Sequence, residues 1–224
     1  MNDGKTRYSF ANAVNGFFEF PTENAKSILP AHLEPVELHH GTSIFAMTAF
    51  DFTESMVGPY GEVVMGVIVM PLVKPGERLP KSAFYPYRVA TTTRAAREHA
   101  IERWHLPHWM EDVGLGWSKQ GRTITARVTA DGEPVAELTI EEHQWSTVSQ
   151  LFQAFMKDDS GAYLANMLFD GPQCEHEDEK GKLVLHEHPF NRELAIPEVY
   201  DVPFREMWMK DGLQTFDPLI KLSA

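Results

Sequence analysis

EVVMGVIVMPLV, residues 62–73, is a near-continuous apolar run, rich in β-branched residues and opened by one carboxylate, Glu62. It is too short to cross a bilayer as a helix and carries Pro71. A run without polar alternation suits a strand covered on both faces. Such a strand needs neighbours, and the flanking sequence supplies them. TSIFAMTAFDF (42–52) is rich in β-branched and aromatic residues and reads as a second strand. FYPYRVATT (84–92) reads as a third, with Pro86 marking an edge or a bulge.

Two helices punctuate this pattern. PTENAKSIL places Thr22 as a cap before a short helix that stops ahead of Pro30. Thr93 caps a second, TRAAREHAIERW, with Ala96, Ala100 and Ile101 on one side. RTITARV (122–128) and EPVAELTI (133–140) flank TADG, and an Asp-Gly turn between alternating runs is a hairpin signal. Residues 147–157 read as a helix, and 162–169, 182–186 and 199–209 as strands. Residues 170–182, polar and acidic, read as an exposed loop. The whole predicts a β-rich α+β chain whose antiparallel or mixed sheet curves into a barrel or forms two packed layers. No internal repeat or low-complexity linker divides it, so residues 1–224 read as one domain.

Composition narrows the function. The 224 residues carry a formal net charge of −12 at pH 7, which disfavours nucleic acid and an anionic membrane surface as partners. One cysteine, Cys174, excludes an intramolecular disulfide and Cys-rich structural zinc, and suits a reducing cytoplasm. Its acidic surroundings, GPQCEHEDEKG, raise a thiol pKa rather than activate a nucleophile. MNDGKTRYSF has no apolar core of signal-peptide length, so a soluble intracellular protein is expected.

Among the histidines, His105 and His108 have a chelating spacing, but Pro107 between them ends the helix and the flanking Trp104 and Trp109 favour packing. His186 and His188 share a strand face, with Glu187 pointing the other way and no carboxylate to complete a ligand set. His39, His40 and His176 read as solvated. No metal and no cofactor is expected: no Gly-rich phosphate loop precedes a helix, and no GxSxG elbow is present. Glu62 is the chemically suggestive carboxylate. It follows the GPYG turn (58–61) at the mouth of a strand that runs into the core, where desolvation would raise its pKa into the range of acid–base catalysis. Arg97 and Glu98, adjacent on the second helix, cannot both face inward.

Four motifs, SILPAHLEP (27–35), PYGEVV (59–64), AARE (95–98) followed by HLP (105–107), and PEVYDVPFREMWMKDGLQTFDPL (197–219), together resemble the acetoacetate decarboxylase family, in the same order and over nearly the whole chain. The resemblance implies a closed, cone-like barrel of antiparallel strands with few helices, an apolar interior and a homo-oligomeric assembly. It also implies a lysine whose neutral amine forms a Schiff base with a β-keto acid. That lysine would fall within HAIERWH (99–105), which has none, and Arg103 cannot be deprotonated to replace it. A family arginine falls at about Ala11 or Asn12, and a family carboxylate at about Ala46 or Met47. Glu62 matches an active-site position, and Arg97–Glu98 match the family's helix start.

The expectation is therefore a small-molecule enzyme acting on a keto acid or related carbonyl compound by acid–base catalysis, as a lyase, hydratase or isomerase. Glu62 is its acid or base, Tyr60 and Arg97 polarise or orient the substrate, and His99, His105 or His108 supplies a second proton-transfer group. The alternative is a non-catalytic barrel that binds an apolar or aromatic molecule. Lys119, in an exposed turn, and Lys74 and Lys81, in a Pro/Gly loop, are poor replacements for the missing amine. Borohydride added with acetoacetate is expected to leave the intact mass unchanged; a stable adduct would show that some lysine forms the Schiff base.

Overall fold

A computed structural model describes residues 4–39 and 41–222. The strands are β1 (Thr6–Pro21), β2 (Thr42–Glu54), β3 (Tyr60–Val69), β4 (Ser82–Thr91), β5 (Val113–Gln120), β6 (Thr123–Ala130), β7 (Glu133–Glu141), β8 (Trp145–Asp158), β9 (Gly161–His176), β10 (Lys182–Leu185), β11 (Arg205–Phe216) and β12 (Ile220–Lys221). The helices are α1 (Thr22–Ile28) and α2 (Arg94–Trp104), and two 3-10 turns follow β10. Among the described residues, no helix is long and apolar enough to cross a membrane.

Strands β11, β1, β2, β3, β4, β8 and β9 run side by side, and a β9–β11 pairing closes them into a ring. Every pairing in the ring is antiparallel except β4 with β8, where Ser82–Phe84 lies parallel to Phe152–Ala154. The barrel is thus closed, as expected, and mixed. A second sheet, ordered β10-β7-β6-β5, covers one side of its outer face.

The apolar stretch behaves as its composition requires. Val63, Met65, Val67 and Val69 pack outward with Ala126, Leu138 and Ile140 of the second sheet. Tyr60 and Ile68 point the opposite way, into the barrel. Strand β3 is buried on both faces because a layer lies on each side of it. The expected hairpin is β6–β7, with Asp131 and Gly132 at φ of 54° and 82° in the turn.

Several expectations give way. Residues 147–157 lie inside β8, not a helix. Val148, Leu151, Phe152 and Phe155 imitate helical spacing, yet the strand is simply buried on both faces from Phe152 to Met156. Residues 170–176 extend β9, leaving a loop only from 177. Lys119 belongs to β5 rather than a turn. The last long strand runs Arg205–Phe216, whereas 199–204 is irregular. Thr22 begins α1 instead of capping it, and its hydroxyl bonds Ser43 Oγ at 2.9 Å. On α2 the Thr93 cap is as expected, but Trp104 rather than Ile101 joins Ala96 and Ala100 on the buried side.

Strand β1, unassigned by its sequence, is 16 residues long. Its register on β2 slips around Ala11, so that Phe10 faces Phe52 while Asn12 faces Asp51. The bulge shifts the inward parity from Tyr8 and Phe10 to Ala13, Asn15 and Phe17.

The ring closes tightly at one place. The β9–β11 register breaks between Met209 and Leu213, where a Cβ on Gly171 (φ 152°) would meet Gly212 Cα at 3.0 Å. A Cβ on Gly212 would run into the Phe10 ring and lie 3.1 Å from the Asp170 carbonyl oxygen. Gly212→Ala is therefore expected to lower the free energy of unfolding by about 1–3 kcal/mol, the usual range for overpacking, measured as a drop in urea midpoint at constant slope.

Candidate active site

The inward parity of the ring defines an internal cavity of about 90 Å³. Its wall is mainly aromatic and thioether: Phe50, Phe84, Phe152 and Phe169 with Met156, Met167, Met207 and Met209. Trp104 and Leu106, at the end of α2, complete it. Against this surface stand four polar side chains: Asn15, Thr48, Glu62 and Gln214. Asn15 Nδ2 donates to Thr48 Oγ1 at 2.7 Å, and Gln214 Nε2 lies 3.7 Å from Met167 Sδ. Glu62 is the cavity's one ionisable lining residue among those described.

Local geometry holds Glu62 in place. It pairs with Phe50 of β2 on one side and Thr91 of β4 on the other. Just before it, Gly61 exchanges hydrogen bonds with Thr92: its N–H donates to Thr92 Oγ1 and its carbonyl accepts from Thr92 N–H, both at 2.9 Å. Leu115 of β5 packs so closely here that a Cβ on Gly61 would fall 2.8 Å from its Cδ2. The Glu62 side chain keeps some surface because it borders the cavity. Burial nevertheless pushes its carboxyl up to about 8, partly offset by a hydrogen bond from Tyr60 two residues earlier on the same face.

A second group of polar atoms lies beside it. Burial, and then the neighbouring Glu62 charge, hold the Tyr60 phenol well above its ordinary pKa. Phe52 touches both Tyr60 and Tyr8, with ring centroids 4.9 and 5.5 Å away. Tyr8 accepts a hydrogen bond from Trp104 Nε1 at 2.7 Å and lies 2.7 Å from His99 Nε2. Burial and then Arg103 lower the His99 pKa, which favours a neutral imidazole able to accept a hydrogen bond from the Tyr8 hydroxyl. Burial likewise raises the Tyr8 phenol.

No protein-family model matches this chain, and no curated protein sequence matches it significantly. Solved structures do match. An acetoacetate decarboxylase from Legionella pneumophila aligns with a TM-score of 0.61 and 16% identity, covering 97% of this chain and 87% of that one. The enduracididine biosynthesis enzyme MppR complexed with pyruvate aligns with a TM-score of 0.63 at 12% identity, covering 100% and 92%. An acetoacetate decarboxylase-like enzyme from Sphingomonas wittichii gives 0.62 at 10%, covering 100% and 95%. The chain has the acetoacetate decarboxylase-like fold.

Within this decarboxylase-like barrel, no lysine lines the cavity among the described residues. Lys119 sits over the Trp208 ring at 4.8 Å and near Glu142, Lys81 is paired with Glu175, and Lys74 lies in the connection after β3. Of the expected site residues, Glu62 alone lines the cavity; Tyr60 is hydrogen-bonded to it, and His99 joins the group behind through Tyr8. The others lie apart. Arg97, expected to orient substrate, is held 2.5 Å from Asp112 and does not line the cavity. His105 takes the left-handed cap position of α2 at φ 54°, stacks on Tyr163 at 4.0 Å and bonds Asp158 at 2.6 Å. That ring and the Ser160 hydrogen bonds, the latter first, draw the Asp158 pKa down to about 2. His108 is tied to the Trp109 carbonyl at 2.5 Å, and burial lowers its pKa to about 4.

Elsewhere, His176 is buried rather than solvated and bonds the Glu141 carbonyl at 2.9 Å. His39 is exposed, and His40 lies outside the described residues. The Cys174 thiol is raised mainly by burial, with the Glu142 charge a smaller contribution. His188 Nδ1 accepts from Phe190 N–H, and among the described residues no three His, Cys, Asp or Glu side chains converge to hold a metal ion. Tyr8, Asn15, Thr48 and Gln214 escaped the sequence reading because they lie on strands whose inward face only the register reveals. A Tyr-x-Phe alternation at residues 8–10 was the one local signal.

Glu62 binds its proton more tightly in the folded than in the unfolded chain. Its contribution to stability is therefore complete at low pH and is lost as pH rises from the ordinary carboxylate range through about 8. Urea unfolding of wild type and Glu62→Gln at about pH 5 and about pH 9 is expected to show the variant gaining relative to wild type at the higher value.

Proposed function

We propose that this protein is an enzyme that acts on a small keto acid or related carbonyl compound by acid–base catalysis, without a Schiff base. The observation that carries the reading is Glu62: a carboxyl that stays protonated near neutral pH, with Tyr60 beside it, at the edge of an apolar cavity. As the carboxylate, Glu62 can remove a proton from the carbon next to a carbonyl while Tyr60 donates a hydrogen bond to the oxygen; the resulting carboxyl, in the form that burial favours, returns that proton to a carbon of the enolate. Enolisation of this kind serves an isomerase, a hydratase or a lyase. Tyr60 polarises or orients the carbonyl, and the Tyr8–His99 pair supplies a proton path toward solvent. The pyruvate held by the enduracididine biosynthesis enzyme supports a carbonyl ligand for a barrel of this shape. With the resemblance read from the sequence, the proposal extends to a cytoplasmic homo-oligomer of single-domain chains spanning residues 1–224.

A specific observation favours a second reading, a non-catalytic barrel that stores or carries an apolar molecule. Besides Glu62, the cavity's polar lining is amide and hydroxyl groups: Asn15 Nδ2 is engaged with Thr48 and Gln214 Nε2 with Met167, which leaves the buried Asn15 Oδ1 without a partner.

Proton NMR in deuterated buffer separates the two readings. Wild type is expected to speed exchange of the α-hydrogens of a bound ketone above the buffer rate. Glu62→Gln is expected to lose about 10²–10⁴-fold of that rate, and Arg97→Ala to retain it. Full activity in Glu62→Gln would remove the role given to this carboxyl, and no exchange by wild type would leave the carrier reading.

A further inference from the structure

Resting on the cavity as the binding site, and narrowing the proposed substrates from keto acids to their uncharged carbonyl relatives, we propose that it selects an uncharged carbonyl compound over a carboxylate of the same size and shape. Charge placement around the cavity carries this. Its lining contains no lysine or arginine among the described residues, and its single ionisable member is itself an acid, Glu62. The nearby cations are engaged elsewhere. Arg103 donates to Thr6 Oγ1 from Nε at 3.0 Å and from a terminal nitrogen at 2.6 Å, and lies over Trp104 at 5.1 Å. Arg97 pairs with Asp112 at 2.5 Å. Arg88, on β4, is bound to Glu193 at 2.5 Å and packed near Trp109 and Phe190, and it is absent from the cavity lining.

The remaining titratable groups near Glu62 are the phenols of Tyr60 and Tyr8 and, behind Tyr8, the His99 ring. None brings a positive charge to the wall. A carboxylate entering the cavity would lose its hydration, find no cation in exchange, and face the Glu62 carboxyl. A ketone, ester or amide meets the opposite situation. Its carbonyl oxygen accepts a hydrogen bond from the protonated Glu62, and its apolar body rests against Phe50, Phe152 and Met209.

Size adds a second constraint. A cavity of about 90 Å³ confines the ligand to a small molecule. Acetoacetate, acetoacetamide and 2,4-pentanedione are small probes with equal numbers of non-hydrogen atoms. They differ in whether an oxyanion, an amide nitrogen or a methyl group completes the same chain.

The test is binding of these three probes to wild-type protein near neutral pH, by ligand-observed NMR titration up to millimolar concentrations. The amide and the dione are expected to bind about tenfold or more tightly than acetoacetate. Acetoacetate binding as tightly as the amide would overturn the proposal, as would binding of none of the three. The readout is affinity, so it is separate from the proposed catalysis. Neutral probes that bind without α-hydrogen exchange would sink the acid–base function and leave the selectivity standing. Exchange accompanied by a preference for the anion would do the reverse.

Discussion

The pairing of β9 with β11 makes a ring of what would otherwise be an open sheet. Closure removes the free edges that a long sheet would present. It also turns one face of every strand toward a common interior, which side chains must fill or leave empty. Here they do both. Phe10, Phe50, Phe52 and Phe169 pack against one another at one end, with centroid separations from 4.9 to 6.4 Å. Beside them a space of about 90 Å³ remains. The second sheet covers one side of the outer face, so the strands beneath it can be apolar on both sides.

Everything chemical about the interior follows from that enclosure. A carboxylate on an ordinary strand start would be ionised in water. Glu62 instead follows Tyr60, the buried first inward residue of its strand, and lies between Phe50 on one neighbouring strand and Thr91 on the other. Desolvation outweighs the Tyr60 hydrogen bond, and the carboxyl keeps its proton. Desolvation also sets the His99, Tyr8 and Tyr60 shifts. An interior made of Phe and Met side chains therefore does two things at once: it accepts an apolar body, and it holds an acid in the protonated form that can act on a carbonyl.

Much of this was legible in the chain. The runs at 42–52, 62–73 and 84–92, the Asp-Gly hairpin and the Thr93 cap are local patterns, and they form, although the strand read over 62–73 runs from Tyr60 to Val69. Glu62 was legible too, as a charge at the mouth of an apolar strand. The misreadings share one cause. Residues 147–157 carry apolar residues on both strand faces, and such a run imitates a helical stripe. In β1 a bulge at Ala11 breaks the alternation. The helix pattern 95–108 brought Arg97, His105 and His108 close to Glu62 only along the motif, whereas in space α2 presents Trp104 and His99, which both meet Tyr8.

By itself the sequence determined the strand-rich character of the chain, its turns, the acidic balance and the absence of an amine between His99 and His105. These depend on neighbours a few residues apart, where backbone propensity and side-chain period are decided. Tertiary structure alone decided which alternate residues look inward, that the ring closes with one parallel pair, and that Tyr8 meets His99 across 91 positions of chain. Register between distant strands settles those matters. A one-residue slip reverses every side chain on a strand, and no local pattern records it.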